Sequence, residues 1–273
     1  MRIKKQLWFS ILIYIGTSLS LQGQTIRRVK IETSLGNMEA ILYNDTPKHR
    51  DKFIKEADQG YYDGAMFYRV IKDFMIQAGA KGYQKASHSV RIGYGDPDFT
   101  VDDEIRKTHF AKRGALCAPR QPDEKNPFKQ SDISQFFIIQ GKRYRKGELD
   151  TLELIRNVPI KKSIKKRYWN KEVKTKAAIL KKEGKAKEYN KLIRQVKDQI
   201  KTEYSLNNNK LVFTKEQRDA YIHVGGYPGI DGEYTIFGEL VSGFDVLDKI
   251  SKVKYDKFNR PWSNINIKVI VLE

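Results

Sequence analysis

The chain has 273 residues, 40% of them hydrophobic and 11% aromatic, which suits one globular domain with a core of its own plus additions. Its single cysteine, Cys117, excludes an internal disulfide, and its four scattered histidines lack the spacing of metal ligands. The formal net charge is +19, so anionic partners have to be considered. Cys117 stands in the apolar run GALCAP, which predicts a buried and unreactive thiol.

Residues 1–24 have the pattern of a secretory signal peptide. Arg2, Lys4 and Lys5 form a basic start, and an apolar run extends from Leu7 to Leu21. This run is shorter than the roughly 20 residues that span a bilayer, although an uncleaved anchor is the competing interpretation. No cysteine ends the run, and no later stretch is apolar enough for a membrane helix. We therefore expect an exported, periplasmic protein with no transmembrane segment after cleavage.

The first elements after the signal peptide are predicted to be two strands and a helix. The strands cover Arg27 to Thr33 and Met38 to Tyr43, and a turn at Gly36 joins them. Thr46-Pro47 then opens a helix that runs to about Gln59-Gly60, with the threonine as cap and the proline in the first turn.

The stretch FYRVIKDFMIQAG, which begins at Phe67, predicts a hairpin. Residues two apart in a strand share a face, so Phe67, Arg69 and Ile71 are expected on one side. Asp73 is a natural turn residue, and Gln77 belongs to the returning strand. The hairpin thereby brings Arg69 and Gln77 beside an apolar surface. Taken alone, the stretch is also compatible with an ordinary core hairpin carrying a solvated arginine.

The rest of the chain alternates polar loops with short apolar runs. Loops are predicted at residues 79–100 and 120–134, strands at 112–116, 135–139, 234–240 and 265–272, and a short helix from Phe244 to Ser251. Many short strands with two helices fit a closed β-barrel capped by helices.

A basic segment at about residues 145–210 differs in kind from its surroundings. Residues 141–220 hold 24 Lys and Arg against 10 Asp and Glu, a net charge of +14 out of +19. Their spacing predicts a helical hairpin inserted in a barrel loop, and Thr214 to Gln217 resembles a capping box for one more helix. The hairpin is interpreted either as a solvated pair without a binding role or as a surface for anionic membranes and acidic proteins. We expect deletion of about Lys146 to Asn209 to leave the activity of the remaining domain largely intact while lowering its affinity for acidic partners.

Three segments in order give the chain its resemblance to a known family. FYRVIKDFMIQAG, SQFFIIQG and GIDGEYTIFGELVSGFDVLDKI together resemble the signature segments of the cyclophilin-type peptidyl-prolyl isomerases, and the resemblance covers about residues 25–144 and 211–273. It implies a mainly β fold, a closed eight-stranded antiparallel barrel capped by two helices. The barrel domain would span residues 25–273, interrupted by the helical insertion at about 145–210.

The chemistry of such a family needs neither nucleophile nor cofactor nor metal. Rotation about an X-Pro bond faces a barrier of about 18–20 kcal/mol because the amide loses its resonance at 90°. An enzyme has to bind the twisted amide better than either planar isomer. In the twisted state the proline nitrogen regains a lone pair, and a guanidinium can donate to it. The resemblance implies that Arg69 is this catalytic group.

The resemblance also implies the substrate-binding residues. Phe74, Met75, Phe137 and Ile230 match an apolar cup for the proline ring, whose burial contributes roughly 1.5–3 kcal/mol. It further implies that four residues make polar contacts with the substrate backbone: Gln77, Gln135, Tyr234 and Arg120.

Several positions depart from the family pattern. Gly229 stands where many relatives carry tryptophan, and this removes one wall of the pocket. Tyr234 replaces a histidine, Arg120 an asparagine and Ile133 a glycine.

Two functions of different class therefore follow. The leading one is an exported peptidyl-prolyl isomerase that acts on proline-containing, folding polypeptides. The alternative is a non-catalytic chaperone or binding module that uses the basic segment to hold anionic clients or surfaces. Nucleic-acid binding, which the high charge also suggests, is not expected of an exported protein.

Overall fold

A computed structural model describes residues 26–80, 82–83, 86–87, 90–93 and 99–272, so the predicted signal peptide lies outside the described residues. The strands in the described part are β1 Arg27–Thr33, β2 Gly36–Leu42, β3 Met66–Ile71, β4 Met75–Gly79, β5 Thr100–Val101, β6 Ala115–Cys117, β7 Ser131–Asp132, β8 Gln135–Ile139, β9 Ile236–Ser242 and β10 Ile267–Leu272. The α-helices there are α1 Pro47–Asp58, α2 Lys146–Tyr168, α3 Lys171–Lys182, α4 Ala186–Leu206, α5 Lys215–His223 and α6 Phe244–Ser251.

Eight antiparallel strands form one sheet in the order β10-β1-β2-β9-β6-β8-β4-β3. Its two edge strands approach each other, since Phe67 N donates to Ile265 O at 2.9 Å and Ile267 N donates to Ala65 O at 2.7 Å. Only an isolated bridge between Met66 and Asn266 joins them, however, and not a continuous ladder. The mainly β, eight-stranded antiparallel architecture is confirmed, whereas the expected closure is not: the sheet is an open half-barrel.

The main core packs one face of the sheet against α1 and α6. Phe53 of α1 packs on Tyr62, Phe136 and Phe237 with ring centroids 5.1 to 5.4 Å apart. The predicted bounds of β1, β8 and α6 coincide with the observed ones. Cys117 is buried as predicted, and burial raises the pKa of its thiol.

Helix α1 begins at Pro47 as predicted, but Thr46 does not cap it with its side chain. The Thr46 hydroxyl donates to Tyr43 O instead. The buried carboxylate of Glu104 caps the helix instead. It accepts Lys48 N, 56 residues earlier in the chain, at 3.1 Å and His49 N at 2.9 Å. A negative charge at a helix N-terminus satisfies free amides and interacts favourably with the helix dipole. A long-range contact therefore replaces the expected local cap.

A β-bulge in β3 changes which residues share a face. The pairing with β4 shifts between Phe67 and Arg69, so Phe67 lies in the main core while Tyr68 and Arg69 both face the outer side. The prediction that Phe67 and Arg69 look the same way is wrong, because strict alternation fails at a bulge. Ile71 packs on the outer side with Arg69 as expected.

Strand β8 is buried on both faces, and its alternation divides it between two clusters. Phe136 and Ile138 belong to the main core, whereas Phe137 and Ile139 pack on the outer side with Met75. One short apolar run thus serves the core and a second apolar surface at the same time.

The basic segment contains three helices rather than the predicted two-helix hairpin. Helices α2 and α3 each pack against α4, and the predicted capping box at Thr214 is present at the start of α5. The first half of α2 packs on α5 and on loop residues, where Leu149 is buried with Phe110, Phe213 and Tyr221. Among the described residues, none of the helices has the length and apolar character needed to cross a bilayer.

We expect Glu104→Gln to lower the free energy of unfolding by about 1–3 kcal/mol, because an amide cannot accept from both Lys48 N and His49 N in the same geometry. Urea denaturation measures this loss. The exposed Glu124→Gln is the matched control and should leave the midpoint unchanged. Equal midpoints for both variants would refute the capping role of Glu104.

Candidate active site

A cleft of about 1270 Å³ opens on the outer side of strands β3, β4 and β8. Eight of the nine residues that the sequence analysis selected line it: Arg69, Phe74, Met75, Gln77, Arg120, Gln135, Phe137 and Tyr234. The ninth, Ile230, is not among the lining residues but packs with Met75 and Phe137 in the apolar cluster behind them. The structure therefore brings the selected residues together, while the role of each in binding stays a prediction.

The apolar part of the cleft comes from two hydrogen-bonded strands. Gln77 of β4 lies directly opposite Phe137 of β8, and Met75 lies opposite Ile139. The Phe137 ring meets the Tyr234 ring edge to face, with centroids 5.5 Å apart. Neighbouring positions on one face of a sheet thus build a cup that no single stretch of sequence contains.

A chain of amide hydrogen bonds fixes the polar side of the cleft. Arg69 Nη1 donates to Gln77 Oε1 at 3.2 Å, and Gln77 Nε2 donates to Gln135 Oε1 at 3.1 Å. Gln135 Nε2 in turn donates to Asp132 Oδ2 at 2.9 Å. The hydroxyl of Tyr68 donates to the same Gln135 oxygen, and burial raises the pKa of Tyr68, so it remains a neutral donor. The half-buried Arg69 guanidinium is therefore oriented before any ligand is present.

Hydrogen bonds to Glu233 and Asp123 hold Arg120 against the Tyr234 ring. Its Nε donates to Glu233 O at 2.7 Å, and its Nη1 pairs with Asp123 Oδ1 at 2.5 Å. The Cζ atom lies 5.0 Å from the centroid of the Tyr234 ring, a distance typical of a cation–π contact. Most of its donors are engaged here, so Arg120 stabilises the position of Tyr234 in the cleft wall.

Sequence reasoning missed Tyr227, which borders the site beside Gly229. Its ring lies 4.1 Å from that of Phe74, and a Cβ atom at Gly229 would be 3.3 Å from Tyr227 Cε1. An aromatic ring two residues before Gly229 therefore packs on the Phe74 side of the apolar cup, and the expectation that Gly229 removes one wall of the pocket stays a prediction. Tyr68 and Asp132 were missed as well, since a bulge places Tyr68 and the two-residue strand β7 places Asp132, and neither leaves a periodic signal.

Asp231 supports the cleft from behind. Its carboxylate accepts Ala111 N at 2.8 Å and the hydroxyl of Tyr221 at 2.6 and 2.8 Å. Burial raises the pKa of Asp231 to about 6, against the opposing effect of these hydrogen bonds and of the Arg156 charge. The loop that carries Ile230 and Tyr234 is therefore tied to α5 through one carboxylate.

Comparison with a family model described as cyclophilin type peptidyl-prolyl cis-trans isomerase/CLD gives a match over residues 28–158 and 170–271. A Staphylococcus saprophyticus protein that carries the name of a peptidyl-prolyl cis-trans isomerase is 26% identical over 261 residues, covering 94% of this chain and 96% of that protein. A Streptococcus pyogenes protein named as a bifunctional phosphatase/peptidyl-prolyl cis-trans isomerase is 26% identical over 257 residues. That match covers 92% of this chain and 40% of the relative's length.

Two solved structures of a Cryptosporidium parvum cyclophilin type peptidyl-prolyl cis-trans isomerase share the fold. Both are 20% identical in sequence and are covered to 99% of their length. One has a TM-score of 0.50 over 91% of this chain, and the other, determined in the presence of the dipeptide Ala-Pro, has a TM-score of 0.51 over 90%.

The raised pKa of Asp231 predicts a specific pH dependence of stability. Between about pH 4 and pH 6 the native carboxylate holds a proton that the unfolded chain has lost, so stability falls as the pH rises. Relative to Asp231→Asn, wild-type protein should lose on the order of 2–3 kcal/mol of unfolding free energy from pH 4 to pH 7.

Urea denaturation across this pH range checks the prediction. The exposed Asp219→Asn serves as a control and should follow the wild-type curve. A constant difference between wild type and Asp231→Asn at all pH values would contradict the prediction.

Proposed function

Because the chain belongs to the cyclophilin-type peptidyl-prolyl cis-trans isomerase family, we propose that it accelerates rotation about X-Pro bonds at the cleft that holds Arg69. One observation carries the proposal. Arg69, Gln77 and Phe137 are successive cross-strand neighbours on β3, β4 and β8, so a guanidinium stands beside an apolar cup. The match over residues 28–158 and 170–271 shows the family, and the cross-strand geometry supports the proposed roles of Arg69 and the apolar cup.

The mechanism needs no covalent step and no proton transfer. A proline ring packs on Met75 and Phe137, which fixes one side of the bond, while the preceding carbonyl rotates. At the twisted geometry the proline nitrogen becomes an acceptor, and the Arg69 guanidinium donates to it. This hydrogen bond is stronger for the twisted state than for either planar isomer, and that difference lowers the barrier.

The amide chain prepares Arg69 for this task. Gln77 and Gln135 hold the guanidinium in place through Asp132, so little reorganisation is needed when the substrate binds. Tyr234 meets the Phe137 ring edge to face, and its hydroxyl is the proposed donor to the substrate carbonyl. When the substrate binds, the Gln77 amide gives up its hydrogen bonds to Arg69 and Gln135 and forms hydrogen bonds with the substrate backbone.

The substrates that we propose are proline-containing polypeptides. A solved structure with the same fold was determined in the presence of Ala-Pro, which supports a short X-Pro unit as the bound element. The basic start and apolar run at residues 1–24 support export, and folding clients in the periplasm follow from that proposal.

A non-catalytic chaperone is the alternative, in which the positively charged helices α2 to α4 hold anionic clients. That alternative requires no contribution from Arg69, and an arginine variant therefore separates the two functions.

We expect Arg69→Ala to lower kcat/KM for an Ala-Pro peptide about 100-fold or more, because the donor to the twisted nitrogen is lost. Arg69→Lys keeps the charge without the fork and should recover only part of the rate. A coupled isomerisation assay measures both. The exposed Arg28→Ala on β1 is the control and should match the wild type. Unchanged rates for Arg69→Ala would leave the chaperone function as the better explanation.

Tyr234→Phe is expected to lower kcat/KM for the same peptide about tenfold, because one donor to the substrate carbonyl is removed while the ring is kept. Tyr227→Phe removes a hydroxyl from the neighbouring ring and should change the rate less than twofold. If both variants behave alike, the Tyr234 hydroxyl does not contact the substrate.

A further inference from the structure

Arg156 connects the basic segment with the wall of the cleft. It lies on α2, and its Nη1 atom donates to Gly229 O at 3.0 Å. Its Nη2 atom pairs with the Glu233 carboxylate. These partners stand 73 and 77 residues further along the chain, at the two ends of one loop. A single guanidinium therefore spans the loop at residues 229–233.

This loop carries one predicted site residue, Ile230, and leads directly into another, Tyr234. Ile230 packs behind Phe137, and Tyr234 follows Glu233 directly and meets the Phe137 ring edge to face. Glu233 also binds Arg120, which lies against Tyr234. A shift of the loop would thus move the back of the apolar cup and the Tyr234 hydroxyl together.

The part of α2 that presents Arg156 is itself fixed. Leu149 is fully buried among Phe110, Phe213 and Tyr221, the last of which lies on α5. The Asn157 side chain exchanges two hydrogen bonds of 2.8 Å with the backbone of Leu211, and Glu153 accepts Phe213 N at 2.6 Å. Arg156 therefore reaches the loop from a rigid support rather than from a projecting arm.

The Arg156 contacts suit positioning better than stabilisation. The side chains of Arg156 and Glu233 are 33% and 30% exposed, and ion pairs at such exposure contribute little to folding. The fork of an arginine, however, can hold a carbonyl and a carboxylate at once and so fix a distance between them. A lysine can supply only a point charge.

We propose that Arg156 is a positioning residue of the isomerase site, which holds the 229–233 loop so that Ile230 and Tyr234 complete the cleft. The proposal rests on the proposed function for its kinetic consequence.

The same contacts divide the basic segment into two parts. The first half of α2, before Pro159, belongs to the site's support, and the remaining helices form an outer part. Removal of the whole segment is accordingly expected to impair activity, contrary to the expectation from sequence.

The test compares Arg156→Ala and Arg156→Lys with Arg167→Ala in the full-length chain. Arg167 lies on the same helix and pairs with Glu203 of α4, away from the loop. Arg156→Ala should lower kcat/KM for an Ala-Pro peptide about tenfold, and Arg156→Lys should show an intermediate loss. Arg167→Ala should match the wild type, and all three melting temperatures should agree within about 3 °C.

Methyl NMR of the isoleucines gives a readout that does not depend on activity. The δ1 methyl resonance of Ile230 should shift in Arg156→Ala, while that of Ile76 in the main core should not. If the wild type proves inactive, the proposed function fails, but the Ile230 shift still decides whether Arg156 positions the loop.

Two outcomes would overturn the proposal. One is an Ile230 resonance that stays unchanged in Arg156→Ala. The other is a loss of activity that only parallels a loss of melting temperature and shifts Ile76 as much as Ile230, which is the result of a general structural role.

Discussion

The pairing of β4 with β8 is the constraint on which the site depends. Its register sets Gln77 opposite Phe137 and keeps both on the outer side of the sheet. A slip of one residue would turn Phe136 outward and Phe137 into the core, because side chains alternate along a strand. The core aromatic contacts of Phe136 therefore protect the geometry of the cleft. The packing of Phe136 in the core thus fixes the position of Phe137 on the opposite face of β8.

The bulge in β3 is the second constraint, and it acts on the polar side. The bulge places Arg69 and Phe67 on opposite faces of the sheet. The Arg69 guanidinium can then donate to the Gln77 amide while Phe67 packs in the core. Tyr68 and Asp132 then secure the far end of the amide chain at Gln135. The Arg69 guanidinium is oriented in this network through the neutral amides of Gln77 and Gln135.

The basic segment acquires two physical roles from its packing. Its inner part shares a buried cluster with α5, whose Tyr221 binds Asp231, and Arg156 reaches the Gly229 carbonyl from the same helix. Its outer part consists of helices that pack mainly on one another. High charge, which dominates the composition, therefore says little about where the segment contacts the site.

The sequence by itself predicted most of the local elements and eight of the residues that line the cleft. Three motifs predicted the strands and Arg69, and the apolar alternation of β8 marked its bounds, because these features depend on neighbours in the chain. Only the tertiary structure decided the β3 bulge, the capping of α1 by Glu104, the open edge between β3 and β10, and the contact of Arg156 with the cleft wall. Each of these joins residues far apart in sequence or breaks a local period, and propensity and spacing carry no information about such contacts.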